Sequence, residues 1–438
     1  MALANTNKLR GLIWWRKWAK KDWAIAIVGF TIIIYAFTSF FPYPNTVHTI
    51  SPSDLVDLTL LHNAIHRGAL CLDGSLPAYH FQKGFGSGST NWILHIEGGG
   101  WCNSIESCLF RKSTPLGSSN YMDRQVRFAG ILSPYPSQNP DFYNWNKVKI
   151  RYCDGASLAG HPESELKNGT KLFFRGQLIW EAIMEELLSI GLSAAKQAFL
   201  TGCSAGGLAT LIHCDDFREL LPKSATVKCL ADAGFFLDEP DILGNRTMRY
   251  FYHDVVHLQG VAKSLHKNCV ARMESSQAAL DFLINCDFQC LFPEEIIKNI
   301  KTPLFLVNPA YDFWQIQHVL IPDTADPRGS WRKCRLSINY CNPSQIGILQ
   351  GFRDSLLKAL GEFQQIKEGG MFINSCFIHC QTWVADTWHS PNSVRINNKV
   401  GKDVRHLICV VRSEYGQKLI RRSDYLKMCR YVVPPVCF

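Results

Sequence analysis

The stretch Gln197-Ala198-Phe199-Leu200-Thr201-Gly202-Cys203-Ser204-Ala205-Gly206-Gly207-Leu208-Ala209-Thr210 sets Gly-x-Ser-x-Gly between a short apolar run and small, helix-tolerant residues. A serine hydroxyl becomes available as a nucleophile when a sharp strand-to-helix turn lifts it clear of a sheet. Such a turn has little room beside the serine, and Gly202 and Gly206 lack the Cβ that would fill it. The start of the following helix would aim the Ala205 N–H at an oxyanion forming on an attacked carbonyl. A small-residue turn around an ordinary buried serine would share this pentapeptide. The nucleophile reading therefore needs a base, an acid and further oxyanion donors elsewhere in the chain.

Three other apolar runs end in residues able to supply them. Trp92-Ile93-Leu94-His95-Ile96 reads as a buried strand and leads into Glu97-Gly98-Gly99-Gly100-Trp101-Cys102. Glycines at the carboxyl end of a strand let backbone N–H groups approach a ligand, so Gly100 and Trp101 are assigned to the oxyanion hole with Ala205. Pro303-Leu304-Phe305-Leu306-Val307 reads as a late strand followed by Asn308-Pro309-Ala310-Tyr311-Asp312. Asp312 is the candidate acid. Asp232, just beyond the short strand at Thr226 to Leu230, is its rival. Asp312 is preferred because a further strand-and-loop pair follows it, Met371 to Cys376 and then Phe377-Ile378-His379-Cys380, which carries the candidate base His379. The order Ser204, Asp312, His379 is that of the α/β-hydrolases. Cys376 and Cys380 flank the histidine and could bind a metal or form a disulfide. In an oxidising compartment a disulfide would hold the loop rigid without removing its chemistry.

These loops need parallel strands to bring them to one edge. Val148 to Cys153 reads as another strand, and Gly176 to Ile190 has Leu178, Ile179, Ala182, Ile183 and Leu187 at the spacing of an amphipathic crossover helix. The pattern predicts an α/β fold, a mainly parallel central sheet flanked by helices. Asp238 to Ile300 reads as mostly helical, a cap-like insertion. It contains His253, His257 and His266, but no His-Glu-x-x-His arrangement accompanies them. An ordinary surface or core role is expected, and no metal site is assigned.

Composition bounds the setting. With 438 residues, 47% of them hydrophobic and 12% aromatic, the chain can bury a large core. Six of the 46 basic residues (Lys8, Arg10, Arg16, Lys17, Lys20, Lys21) and one of the 37 acidic residues (Asp22) precede the first apolar run. The remainder is nearly balanced at 40 against 36, which gives nucleic-acid binding no support and is compatible with an anionic polysaccharide. Trp23 to Phe41 is an uncharged apolar run that would span ~28 Å as a helix, close to the hydrocarbon thickness of a bilayer. Basic residues before it predict a cytosolic N-terminus and a lumenal or extracellular body. The expected organisation is a basic tail over 1–22, a signal anchor or uncleaved signal segment over 23–41, a stem over 42–54 and a hydrolase-like domain over 55–438. Seventeen cysteines fit an exported, oxidised body. Their odd number leaves at least one unpaired, for which Cys203, inside the turn, is the candidate; Cys102 and Cys108 are close enough to close a small loop. Asn168-Gly169-Thr170 and Asn245-Arg246-Thr247 are glycosylation sequons, at Asn168 and Asn245.

With these motifs assembled, the chain resembles the plant pectin acetylesterase family, itself distantly similar to the Wnt-deacylating carboxylesterase Notum. The resemblance spans roughly Leu55 to the C-terminus. It rests on His95 to Cys102, Gly202 to Gly207, Asn308 to Gln315 and Asn374 to Gln381, in that order. It implies an α/β-hydrolase-type fold, Ser204 as nucleophile, Asp312 as orienting acid and His379 as base. It also implies release of acetate from acetylated pectin in the cell wall, with no metal or organic cofactor. The alternatives are an esterase for a longer acyl group, a protease and a catalytically inactive binding glycoprotein tethered to a membrane.

Overall fold

A computed structural model describes residues 54–161, 171–277, 287–363, 369–389, 395–396 and 399–400. The apolar run Trp23–Phe41 and the sequon at Asn168 lie outside the described residues. Among the described residues no helix is long and apolar enough to cross a membrane.

Among the described residues a main sheet takes nine strands in chain order, β1 (Leu55–Leu60), β2 (Ala78–Gln82), β3 (Asn91–Ile96), β4 (Gln125–Arg127), β5 (Asn146–Ile150), β6 (Gln197–Cys203), β7 (Thr226–Asp232), β8 (Leu304–Pro309) and β9 (Gly369–Asn374), and two short strands, Arg395–Ile396 and Lys399–Val400, pair separately. The main sheet has the order β4-β1-β2-β5-β3-β6-β7-β8-β9. The six strands from β5 to β9 in that order pair in parallel. At the other edge β1 pairs antiparallel with β2 and β4, and β2 pairs antiparallel with β5. The fold class expected from the sequence is the one found. The antiparallel edge is an addition, written in short strands whose alternation is weak.

Strand periodicity explains how one sheet serves two cores. Successive side chains point to opposite faces. Leu94, Leu200, Leu304 and Leu306 face one buried cluster, whereas Ile93, Phe199, Leu230, Phe305 and Phe372 face another. Because both faces are covered, β3 and β6 read as continuous apolar runs rather than alternating ones. The first cluster is closed by two helices, α1 (Gly176–Ser189) and α2 (Ala205–Glu219). Helix α1 buries Ile179, Ala182, Ile183 and Leu187 of the stripe expected from its spacing, while Leu178 is only half-buried and Trp180 is buried in addition. Between β7 and β8 the insertion forms α3 (Thr247–Gln259) and α4 (Lys267–Gln277) with short turns around them. Its side chains Tyr252, Val255, Val256, Val261 and Phe288 join the first cluster, and the Cys269–Cys290 disulfide ties α4 to the turn after it.

Among the described residues six disulfides are formed, Cys71–Cys153, Cys102–Cys108, Cys203–Cys380, Cys214–Cys229, Cys269–Cys290 and Cys334–Cys341. The expected Cys102–Cys108 loop is among them. The expectation for Cys203 is overturned, because its sulfur is bonded to Cys380. Cys203 is not sealed inside the turn. It ends β6, half-buried at the carboxyl edge of the sheet, where the loop after β9 comes down beside it.

Candidate active site

The loops after β3, β6, β7, β8 and β9 converge at the carboxyl ends of the parallel strands, the edge where open α/β sheets build their sites. Ser204 sits between the end of β6 and the start of α2 with φ 59° and ψ −124°. This is backbone that a non-glycine residue adopts only when the surroundings over-determine it. Those surroundings are close-packed. A Cβ on Gly202 would lie 2.1 Å from the Gly206 oxygen, and one on Gly206 would lie 2.3 Å from the Ile96 oxygen. The glycines therefore let the turn nest against the end of β3. The Ser204 N–H donates to the Asp232 carbonyl at 2.8 Å, which pins the turn to β7 as well.

On the β3 side, Gly100 has φ 63°, a left-handed conformation that costs glycine little. Four side chains hold this loop. Arg111 Nη1 donates to the Gly99 carbonyl at 2.8 Å, and the Tyr152 hydroxyl donates to the Gly100 carbonyl at 2.7 Å. Gln259 Nε2, from α3, donates to the Cys102 carbonyl at 2.7 Å. The Trp101 indole donates to Ser157 Oγ at 2.8 Å, and Ser157 Oγ in turn donates to the Ala205 carbonyl at 2.8 Å. The serine thus ties the glycine loop to the helix start. Asp154 steadies the Ser157 turn by accepting from the Ala156 N–H; burial pushes its carboxyl up to about 6 against the pull of Arg111. Among the described residues the N–H groups of Gly100, Trp101 and Ala205 make no hydrogen bond. Ser157, Tyr152, Arg111 and Gln259 were missed from the sequence, since each lies in a run with no motif of its own.

Asp312 and His379 meet directly. His379 Nδ1 lies 2.9 and 2.8 Å from the two carboxylate oxygens of Asp312. Asp312 is buried and also accepts the N–H groups of Trp314 and Gln315, so its orientation is fixed before the histidine arrives. Burial alone would push the imidazole pKa down. The Asp312 carboxylate, by its charge and its hydrogen bond, and the charge of Asp232 outweigh that, and the net direction is upward. His379 Nε2 is buried and makes no hydrogen bond among the described residues. No hydrogen bond joins it to Ser204 in this structure; bonds of this kind commonly tighten only with substrate in place. What brings the two residues' neighbours together is covalent, since Cys203 and Cys380 are bonded with their Cα atoms 5.8 Å apart.

Asp232, the rival acid, acts on His379 through its charge but makes no hydrogen bond to it. Its carboxylate accepts from Gln381 and Thr382 rather than from the imidazole. In the insertion, His253 Nδ1 pairs with Asp254 at 3.1 Å and His257 Nε2 lies 3.8 Å from Asp287. Both are remote from the histidine–aspartate pair in sequence and bond partners. Asn245 is exposed at the start of α3, as a sequon requires.

A six-strand parallel core with a strained serine turn between strand and helix defines an α/β-hydrolase-like fold. A solved structure titled as the Wnt deacylase Notum from Drosophila superposes with a TM-score of 0.65 over 81% of this chain and 92% of that one, at 23% identity. The chain belongs to the pectinacetylesterase family, whose model matches residues 50–428. Pectin acetylesterase 5 of Arabidopsis thaliana is 60% identical over 97% of this chain and 96% of its own. Pectin acetylesterase 4 of the same plant is 57% identical over 89% of this chain and 92% of its own. The palmitoleoyl-protein carboxylesterase NOTUM of Mus musculus is 30% identical over 66% of this chain and 57% of its own. The chain is accordingly a carboxylic ester hydrolase, and its disulfides are those of a protein matured in an oxidising compartment.

Proposed function

We propose that the chain hydrolyses acetyl esters of pectic polysaccharide through an acetyl-enzyme on Ser204. The observation that carries the chemistry is the His379–Asp312 pair, held on a loop covalently bonded to the residue preceding the nucleophile. His379 Nε2 takes the Ser204 proton as Oγ attacks the acetyl carbonyl, and Asp312 holds the tautomer and stabilises the imidazolium. The N–H groups of Gly100, Trp101 and Ala205 receive the oxyanion. The tetrahedral adduct collapses, the carbon–oxygen bond to the sugar breaks, and His379 returns the proton to the departing hydroxyl. Water then attacks the acetyl-serine with His379 again accepting the proton, and acetate leaves. None of these steps calls on a metal or an organic cofactor.

Acetate is favoured over a long acyl chain by the wall between the glycine loop and the histidine. Trp101, Phe236, Tyr252 and Trp314 interlock edge to face, with centroids 4.9 to 5.8 Å apart, and Trp314 lies over the His379 ring at 6.1 Å. Tyr252 and Phe236 are buried to within 1%. Rings packed this closely beside the base support a small acyl group over a long one. The names of the relatives in Arabidopsis thaliana support pectin as the polymer. We further infer export to the cell wall, with the apolar run Trp23–Phe41 acting as the export signal or an anchor; mass determination of the exported chain distinguishes the two.

Acetate release from acetylated pectin by the full chain, with Ser204→Ala alongside, tests the reading. Release by the parent and a loss of the order of 10⁶ in turnover for the variant is expected. Parental cleavage of a long-acyl ester without acetate release would move the substrate. Turnover by Ser204→Ala would remove the mechanism.

A further inference from the structure

Asp232 ends β7 fully buried, and the mechanism above makes no use of it. One of its oxygens nevertheless takes three donors at 2.7 Å, the N–H groups of Gln381 and Thr382 and the Thr382 hydroxyl. Its main-chain carbonyl meanwhile accepts the Ser204 N–H at 2.8 Å. A single residue thus grips the nucleophile by its backbone and the histidine loop by its side chain. Its strand neighbour in the β6–β7 register is Cys203, the residue bonded to Cys380. Two bridges therefore cross the same gap, one covalent and one polar. They land on three consecutive residues, 380 to 382, immediately after the base. The first of these, Cys380, has φ 62°, so the turn relies on its surroundings to keep its shape.

We propose that Asp232 is a positioning residue for ester hydrolysis, fixing the turn after His379 so that Nε2 is aimed at Ser204 Oγ. The inference rests on Ser204 and His379 being nucleophile and base. A buried carboxylate needs donors to be tolerated, and here all three fall on the oxygen that faces the histidine loop, while Oδ1 makes no hydrogen bond among the described residues. Burial pushes this carboxyl above its ordinary range, against the pull of Thr382, Gln381 and the charge on His379. The groups facing His379 are the carboxylate of Asp312 from the loop after β8, Asp232 from the end of β7, and the uncharged rings of Phe313 and Trp314, with His318 stacked on Trp314. Asp232 thus adds a second negative charge that favours the imidazolium formed when Ser204 attacks.

The test compares Asp232→Ala, Asp232→Asn and Thr382→Val in the full chain, with p-nitrophenyl acetate and acetylated pectin as substrates. Asp232→Ala is expected to lower kcat about 100-fold, the scale of a misplaced base, while KM stays within about threefold. Asp232→Asn can still accept both main-chain N–H groups and is expected to recover to about 10-fold below the parent. In both, the acid limb of kcat/KM moves to lower pH because a negative charge near the imidazole is gone. Thr382→Val removes one donor and keeps the charge; kcat should fall a few-fold, about one hydrogen bond's worth, with the acid limb unmoved. Should Asp232→Ala fail to fold, the other two variants still decide. Parental kcat and an unmoved acid limb per folded molecule in Asp232→Asn, with parental kcat in Thr382→Val, would overturn the inference. If Ser204→Ala is inert in that case, only the role of Asp232 has failed; if Ser204→Ala turns over, the nucleophile reading has failed instead.

Discussion

The nucleophile turn and the histidine loop lie at the ends of β6 and β9 and are built on opposite principles. The turn is local. Within five residues Gly202 admits the Gly206 carbonyl and Gly206 admits the end of β3, and the strained Ser204 is locked between strand and helix. The histidine loop has only a light internal tie, Asn374 Nδ2 donating to Gln381 Oε1 and Asn374 Oδ1 accepting the Cys376 N–H. It is held by partners far away in sequence: Asp312 at a separation of 67, Asp232 at 149 and 150, and Cys203 at 177. A nucleophile must occupy one point with little freedom, which close packing supplies. A base must shuttle a proton between two partners, so its ring is aimed by several directional bonds rather than by bulk.

Removing one of the directional bonds should have the largest effect. Asp312→Asn is expected to cost ~10⁴ in kcat, because an amide donating toward Nδ1 favours the wrong tautomer. The pH dependence adds a second readout. The fold raises the His379 pKa, so the imidazolium is favoured in the folded state. Its contribution to stability is fully present below the unfolded value of about 6.5 and is lost as pH rises through the folded value. Catalysis needs the neutral ring, so activity rises over the same span in which that stability falls. In Asp312→Asn the acid limb should shift downward and the stability change across this window should shrink. Turnover against pH and urea midpoints at several pH values check both. An unmoved acid limb would mean that Asp312 does not bear on the base.

Breaking the local device should come next. A Cβ at position 206 meets the main-chain oxygens of Ile96 and Glu97 at 2.3 and 2.6 Å, and neither can swing aside as a side chain would. Gly206→Ala should therefore displace the helix start, with an overpacking cost of about 1–3 kcal/mol. With the Ala205 N–H moved off the oxyanion, kcat should drop ~10²–10³. The His379–Asp312 pair should be untouched, so the acid limb of the pH profile stays in place. A shifted limb would show that the two regions are not independent.

This contrast also governs how much could be read in advance. The turn was legible because its serine and both of its glycines lie in Gly202 to Gly206, and the parallel core because β3, β6 and β8 are continuous apolar runs. Asp312 and His379 followed from their place after such runs. The antiparallel edge was not legible, since β4 is three residues long and β1 is largely exposed. Nor was the brace under the glycine loop, because Ser157, Tyr152, Arg111 and Gln259 meet only in three dimensions. Cys203 was misread for the same reason. From local sequence it belongs to the turn, whereas its partner is 177 residues away.

That disulfide offers the smallest and finest test of the comparison. Replacing both cysteines, Cys203→Ser with Cys380→Ser, removes the covalent bridge without leaving a thiol beside the nucleophile. Closing so long a loop contributes about 5 kcal/mol in a chain-entropy account, against a typical ~2–4 kcal/mol for disulfides, and a loss within that range should appear in the urea midpoint. The turn keeps its glycine packing and the histidine keeps Asp312 and the Asp232 anchor. Turnover at full folding should therefore fall only about 10-fold, the scale of one lost directional restraint. If it instead falls as far as in Asp312→Asn, the covalent bridge rather than the polar contacts aims the base, and the distinction between a packed turn and a hydrogen-bonded loop gives way to a single bonded unit.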